Sequence, residues 1–97
     1  YGKLDYHFTA FIGILLTKSN RTQEVLKELT TIPNVIEASV ISGKYNIFCK
    51  IRAKNTEDAK RIIYKIDDIQ DVMRTESMIS MEEYISDKNR LIDAVSI

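Results

Sequence analysis

Residues 35–53 restrict the fold most, because two runs of β-forming residues there flank a short polar turn. In the second run Ile47, Cys49 and Ile51 alternate with other residues and share one face of an extended chain. The turn, residues 42–44, contains Gly43, and glycine takes a left-handed backbone without a Cβ clash. The stretch therefore predicts a β-hairpin with a three-residue connection and free backbone N–H groups at its mouth.

A second strand is predicted at residues 8–17, where apolar side chains occupy both faces. Phe8, Ala10, Ile12, Ile14 and Leu16 alternate with Phe11, Gly13 and Leu15. Such a strand is expected to be covered on both sides. A glycine in mid-strand further predicts that another backbone or a side chain comes close to it.

Two helices and a last strand complete the pattern. Apolar residues at helical spacing predict a helix over residues 23–29, and Pro33 prevents its continuation. Asn55 and the acids after it are typical of a helix N-terminus. The apolar stripe that follows consists of Ala59, Ile62, Ile63, Ile66 and Ile69. Imperfect alternation over residues 72–85 predicts the last strand.

The predicted order is strand, helix, strand, strand, helix, strand, which is the α+β pattern of ferredoxin-like folds. Right-handed crossovers place both helices on one face of a four-stranded antiparallel sheet. The other face would be bare and apolar, with Phe48 and either Met73 or Met78 added to it. A bare apolar face is rare on a monomer, so we expect the sheet to pair with a second copy of the chain.

The remaining residues predict a short lead-in and a C-terminal extension. Residues 1–7 are mixed, residues 8–85 form the predicted domain, and residues 86–97 carry Leu91, Ile92 and Val95 at helical spacing. The chain starts with Tyr1 rather than Met, from which we expect further residues upstream.

Composition argues against several classes of function. Lys plus Arg number 14 and Asp plus Glu number 14, so this segment has no basic footprint for nucleic acid. No apolar run reaches the roughly 20 residues that span a bilayer. A single cysteine excludes an intrachain disulfide and fits a reducing cytoplasm. His7 has no ligand partners in its vicinity and Cys49 is expected to be a buried, inert thiol, so no metal or cofactor is predicted.

Four segments, taken in order and spacing, resemble the C-terminal effector domain of the Lrp/AsnC family, also called the RAM domain. They are residues 4–14, 32–35, 42–46 and 72–79, and the similarity runs from Leu4 to about Tyr84. The resemblance implies a prokaryotic transcription regulator with an upstream helix-turn-helix, or a stand-alone version lacking one. It also implies dimers that assemble further, often into octamers, and a small-molecule effector, usually an amino acid, bound between subunits.

The resemblance also implies a ligand site. The family's Gly-x-Tyr/Phe-Asp turn maps onto residues 43–46, and its Thr-x-Thr maps onto residues 75–77. The candidate ligand-binding residues are Ser42, Gly43, Lys44, Tyr45, Asn46, Arg74, Thr75 and Ser77. Backbone N–H groups of the turn suit a carboxylate, and the hydroxyls of the last strand suit an ammonium.

Three departures from the family's pattern matter. Ser77 stands where the family usually has Thr, a mild change because the hydroxyl is kept. Asn46 stands where the family usually has Asp, which removes a negative charge and predicts weaker or different binding of an α-amino ligand. Gln70 and Asp71 stand where the family usually has Pro-Gly, so that turn is expected to adopt another conformation.

Three functions follow from these observations. The preferred one is a ligand-responsive regulatory and oligomerisation domain without enzymatic activity. The second is an assembly domain that binds no effector. The third is a small enzyme of the dimeric α/β-barrel type, for which Arg74 and His7 are the only catalytic candidates.

Overall fold

The computed structural model of the protein describes residues 8–79, and within them every predicted element is present. Four strands, two α-helices and one 3₁₀ turn follow one another as β1 (Phe8–Leu16), the turn (Ser19–Arg21), α1 (Thr22–Leu29), β2 (Val35–Val40), β3 (Ile47–Ala53), α2 (Thr56–Asp67) and β4 (Val72–Ile79). The predicted continuation of β4 to residue 85, the C-terminal helix and His7 lie outside the described residues.

The four strands form one antiparallel sheet in the order β2–β3–β1–β4, which confirms the ferredoxin-like prediction. Both helices pack on one face. The core there contains Ala10, Ile12, Ile14 and Leu16 of β1, Ile47, Cys49, Ile51 and Ala53 of β3, and Val25, Leu29, Ala59, Ile62 and Ile66 of the helices. Burial raises the pKa of the Cys49 thiol to about 12, so this cysteine is the inert core residue that was predicted.

The connection between β2 and β3 is longer than predicted. It comprises six residues, 41–46, rather than three, because Ile41, Tyr45 and Asn46 leave the strand ladder. Ile41 N–H donates to the Asn46 carbonyl at 3.2 Å and closes the loop. Gly43 has φ of 111°, so glycine does supply the left-handed backbone in this turn. The longer loop gives its central residues room to present backbone N–H groups.

The sheet face opposite the helices, which we call the open face, carries an apolar centre. Phe11 and Phe48 stack there with ring centroids 5.7 Å apart and planes inclined by 16°. Phe11 lies opposite Met78 in the register, so Met78 and not Met73 belongs to this face. Met73 is the extra residue where the register between β1 and β4 shifts. Charged side chains border the centre, and Lys50 Nζ lies 5.7 Å from the Phe11 ring centroid.

The expectation that the turn before β4 adopts another conformation is wrong, because Asp71 keeps the left-handed backbone that glycine favours. Asp71 has φ of 76°, in the left-handed region that non-glycine residues seldom occupy. Its carbonyl accepts the Thr17 N–H at 2.9 Å, and its carboxylate accepts Arg21 Nε at 2.9 Å. These contacts hold the strained residue in place and tie the start of α1 to the start of β4.

The helices are bounded and charged as the sequence indicates. Asn55 caps α2, because its side-chain oxygen accepts the Asp58 N–H at 2.9 Å. Asp58 in turn accepts the Lys54 N–H and pairs with Arg61, and these contacts lower the pKa of Asp58. Within residues 8–79 no helix is long and apolar enough to cross a membrane.

Candidate functional site

Asn46 fastens the β2–β3 turn to the neighbouring strand β1. Its backbone N–H donates to the Ile14 carbonyl at 2.9 Å, and its side-chain Oδ1 accepts the Leu16 N–H at 2.9 Å. One of the two lone pairs of this oxygen is therefore used by the protein's own backbone. These two hydrogen bonds hold the turn beside the end of β1, and we call this role of Asn46 the clamp.

Two substitutions of Asn46 distinguish the loss of its hydrogen bond from the addition of a negative charge. We expect Asn46→Ala to lower the free energy of unfolding by about 1–3 kcal/mol, because the Leu16 N–H then loses its acceptor in a nearly buried position. Asn46→Asp keeps an acceptor oxygen and is expected to unfold at nearly the wild-type urea concentration at neutral pH. Urea unfolding at one protein concentration measures both; equal losses in the two variants would contradict the clamp.

Tyr45 crosses from the turn onto the open face and covers Gly13. A Cβ built on Gly13 would lie 2.8 Å from Tyr45 Cδ2 and 2.9 Å from Cγ, closer than real Cβ contacts. The close approach that the mid-strand glycine predicts is thus made by this aromatic ring. Glu76 of β4 is the register partner of Gly13 on the other side, so Tyr45 reaches towards Glu76.

The Tyr45 hydroxyl is shielded from solvent and faces the Glu76 carboxylate, without a hydrogen bond of ordinary geometry to any described residue. Glu76 as acceptor, then removal from water, raises the pKa of Tyr45, while the Tyr45 hydroxyl and then Lys44 lower the pKa of Glu76. The lowered pKa means that the ionised Glu76 is favoured by folding, and this contribution is lost as the pH falls through the lowered pKa.

Two cations complete this group. Lys44 Nζ lies 5.7 Å from the Tyr45 ring centroid, a cation–π distance. Arg74 is the register partner of Leu15 and so shares the open face with Glu76, whose pKa it also lowers. We call Lys44, Tyr45, Arg74 and Glu76 the Tyr45 cluster. It places one carboxylate and two cations around one aromatic ring.

Thr75 and Ser77 do not join the cluster. Their register partners are Ile14 and Ile12, which are fully buried in the core, so both hydroxyls belong to the helix side of the sheet. The Thr75 hydroxyl donates to Asp67 Oδ1 at 2.7 Å. The structure thus brings together Lys44, Tyr45 and Arg74 of the predicted site and separates them from the two hydroxyls. Glu76, which the motif did not predict as a site residue, lies on the open face with the cluster instead.

The turn itself offers donors. In the described part of the chain, the backbone N–H groups of Ser42, Gly43, Lys44 and Tyr45 donate to no protein acceptor. Residues 42–44 are exposed, and the positive φ of Gly43 bends the backbone between its neighbours. Successive free N–H groups in a turn are the donors from which backbone anion-binding sites are built.

Two surface grooves lie away from this site. One, about 260 Å³, runs between α1 and β2 and is lined by apolar residues such as Leu26 and Leu29. The other, about 420 Å³, lies beside Arg21 and Asp71 and is lined by charged residues of both signs. Neither contains a residue of the turn or of the Tyr45 cluster. Within residues 8–79 no group of three or more His, Cys, Asp or Glu side chains could hold a metal ion.

The described residues form a ferredoxin-like domain whose β2–β3 turn carries free backbone N–H donors. Comparison of the sequence with family models gives the family: the model described as "Lrp/AsnC ligand binding domain" matches residues 9–90. The chain therefore belongs to the Lrp/AsnC ligand-binding domain family, as the resemblance indicated.

Several relatives are named as transcription regulators. The chain is 33% identical over 84 residues to the regulatory protein AsnC of Haemophilus influenzae, a match that covers 86% of this chain and 56% of that protein. It is 37% identical over 83 residues to an uncharacterised HTH-type transcriptional regulator of Pyrococcus horikoshii, covering 82% and 55%. The chain thus spans just over half the length of these curated relatives.

Solved structures agree with the fold. The structure of Escherichia coli AsnC superimposes with a TM-score of 0.82 at 28% identity, covering 90% of this chain and 59% of that one. A feast or famine regulatory protein of Mycobacterium tuberculosis, complexed with L-methionine, gives a TM-score of 0.76 at 18% identity, covering 90% and 58%. At that identity the second likeness shows the fold alone.

Proposed function

We propose that the chain is the effector-binding and oligomerisation domain of a prokaryotic transcription regulator that acts in the cytoplasm, and that it is not an enzyme. Its effector is a small molecule, an amino acid by chemistry, bound where the β2–β3 turn meets a neighbouring subunit. DNA contacts belong to another part of the regulator, since this segment has equal numbers of acidic and basic residues.

The free N–H groups of residues 42–45, next to the Tyr45 cluster, carry this proposal. An α-amino acid presents a carboxylate and an ammonium close together, and each needs partners of opposite charge or polarity once it leaves water. The turn and Lys44 supply donors and positive charge. The tyrosine ring supplies an apolar surface beside them.

Self-association is the second part of the proposal. The open face carries the stacked Phe11 and Phe48 and the exposed Met78, an apolar surface that the chain's own helices do not cover. A second copy packed sheet to sheet would shield it and would bring a neighbouring surface to the rim where the Tyr45 cluster lies. The relatives' names as regulators agree with a binding module rather than a catalyst.

A thermal-shift panel tests the effector. Each of the 20 common amino acids is added at up to 10 mM; an effector present at 100 times its Kd adds about 2.7 kcal/mol to the free energy of unfolding. The panel includes L-methionine. We expect one chemically related group of amino acids to raise the melting temperature. The matched alcohols, which lack the carboxylate, should give no shift. No shift with any amino acid would remove the effector and leave an assembly domain.

A further inference from the structure

The position at which the family usually carries an acidic turn residue has no negative charge to offer an ammonium in this chain. Asn46 is neutral, and its Oδ1 accepts the Leu16 N–H. An α-amino acid bound at the turn would therefore present its ammonium to a site that lacks the usual charge. A buried ammonium without a negative partner is strongly unfavourable, so the acceptor must come from elsewhere.

Glu76 lies where such an acceptor is needed. It is the register partner of Gly13, the residue that Tyr45 covers, and therefore faces the same rim of the open face as the turn. Lys44 and Arg74 affect its ionisation, yet among residues 8–79 no Lys or Arg nitrogen lies within 4.0 Å of its carboxylate. Among residues 8–79 the Glu76 carboxylate thus has cationic neighbours that affect its pKa, but it forms no ion pair with them.

We propose that Glu76 is a ligand-binding residue that accepts the α-ammonium of an amino-acid effector, while Lys44 and the N–H groups of the turn take its carboxylate. This inference rests on the proposed function and names the charge pairing within that site. A carboxylate has about four lone-pair positions, so Glu76 can keep its contact with the Tyr45 hydroxyl and still accept an ammonium. The negative charge lost at Asn46 is thereby supplied from β4.

The charges of the Tyr45 cluster match those of a zwitterion. Lys44 lies over the Tyr45 ring on the turn side, and Glu76 lies beyond the ring on β4. An α-amino acid carries both charges on one carbon atom, and the cluster offers a cation and a carboxylate beside the same tyrosine. A simple anion or a simple amine would satisfy only one side.

Three forms of each of the 20 common amino acids distinguish the contributions of the two ligand charges to binding. They are the free amino acid, its methyl ester, which lacks the carboxylate charge, and its N-acetyl derivative, which lacks the ammonium. Calorimetric titration compares wild type with Glu76→Gln. We expect the variant to lose about 10- to 100-fold in affinity for the amino acid and its methyl ester, because a charged hydrogen bond is replaced by a neutral one. Affinity for the N-acetyl derivative should be unchanged.

Glu37→Gln is the matched control, since it makes the same charge change on the open face, where Glu37 pairs with Lys50 at 3.6 Å. It should leave all three affinities unaltered. Equal binding by wild type and Glu76→Gln overturns the role of Glu76 while the proposed function stands. Equal loss for the N-acetyl derivative, or weaker self-association with ligand affinity intact, also overturns it. Wild-type protein that binds neither amino acids nor esters overturns both proposals.

Discussion

Gly13→Ala is expected to destabilise the protein by about 1–3 kcal/mol, a typical cost for forcing an extra carbon into a filled position. The new Cβ would lie 2.8–3.0 Å from three atoms of the Tyr45 ring. The ring must move off the sheet, and its hydroxyl then leaves Glu76. Ala otherwise suits a strand at least as well as Gly, so the loss arises from Tyr45 and not from the backbone.

A double-mutant cycle isolates that cause. With Tyr45→Ala already in place, Gly13→Ala should cost nearly nothing, because the atoms it would meet are gone. Gly43→Ala is the matched control: it meets no atom within 4 Å, but its φ of 111° strains any side chain. Its cost should be the same with or without Tyr45. Urea unfolding at constant protein concentration gives the free energies of the wild type and the five variants. An unchanged cost of Gly13→Ala in both backgrounds would refute the ring contact.

The layered fold could be predicted because the strands and helices follow one another in the ferredoxin-like order and because β3 has buried residues at every second position. Ile12 and Ile14 of β1 and Ile47 of β3 all point towards the helices, and their period of two leaves one arrangement that buries them. The contact at Gly13 could likewise be predicted in kind, since a mid-strand glycine indicates a close neighbour. Its partner could not, because Tyr45 reaches it only through a loop whose length the sequence did not define.

The candidate site was harder to predict, since it depends on register. A shift of one residue moves a side chain to the other face of a sheet, and the irregularity at Met73 decides which residues of β4 face the helices. Thr75 and Ser77 were grouped with the turn by motif alone, but they face the core side. Alternation of Arg74, Glu76 and Met78 was the signal for the open face, and it identifies Glu76.

Phe48→Asp is expected to abolish the proposed sheet-to-sheet dimer at micromolar concentration, leaving monomer. Phe48 stacks on Phe11 at the centre of the open face, and a carboxylate there would be buried without a partner if a second copy covered it. Truncating a central aromatic residue commonly costs an interface about 2–4 kcal/mol, and the added charge increases that loss. The fold should survive, because the neighbouring core residues Ile47 and Cys49 point to the helix side.

Val40→Asp provides the comparison, because it makes the same change at a side chain that is 58% exposed on the edge strand β2, opposite Ile47 and so on the helix side of the sheet. This variant should remain dimeric. Sedimentation velocity at several micromolar concentrations distinguishes the two, with far-UV circular dichroism to verify folding. A monomeric wild type, or a Phe48→Asp variant as dimeric as Val40→Asp, would show that the aromatic centre of the sheet does not join two copies. The apolar residues of the open face would then need another reason to face water, and a ligand site shared between subunits could not form there.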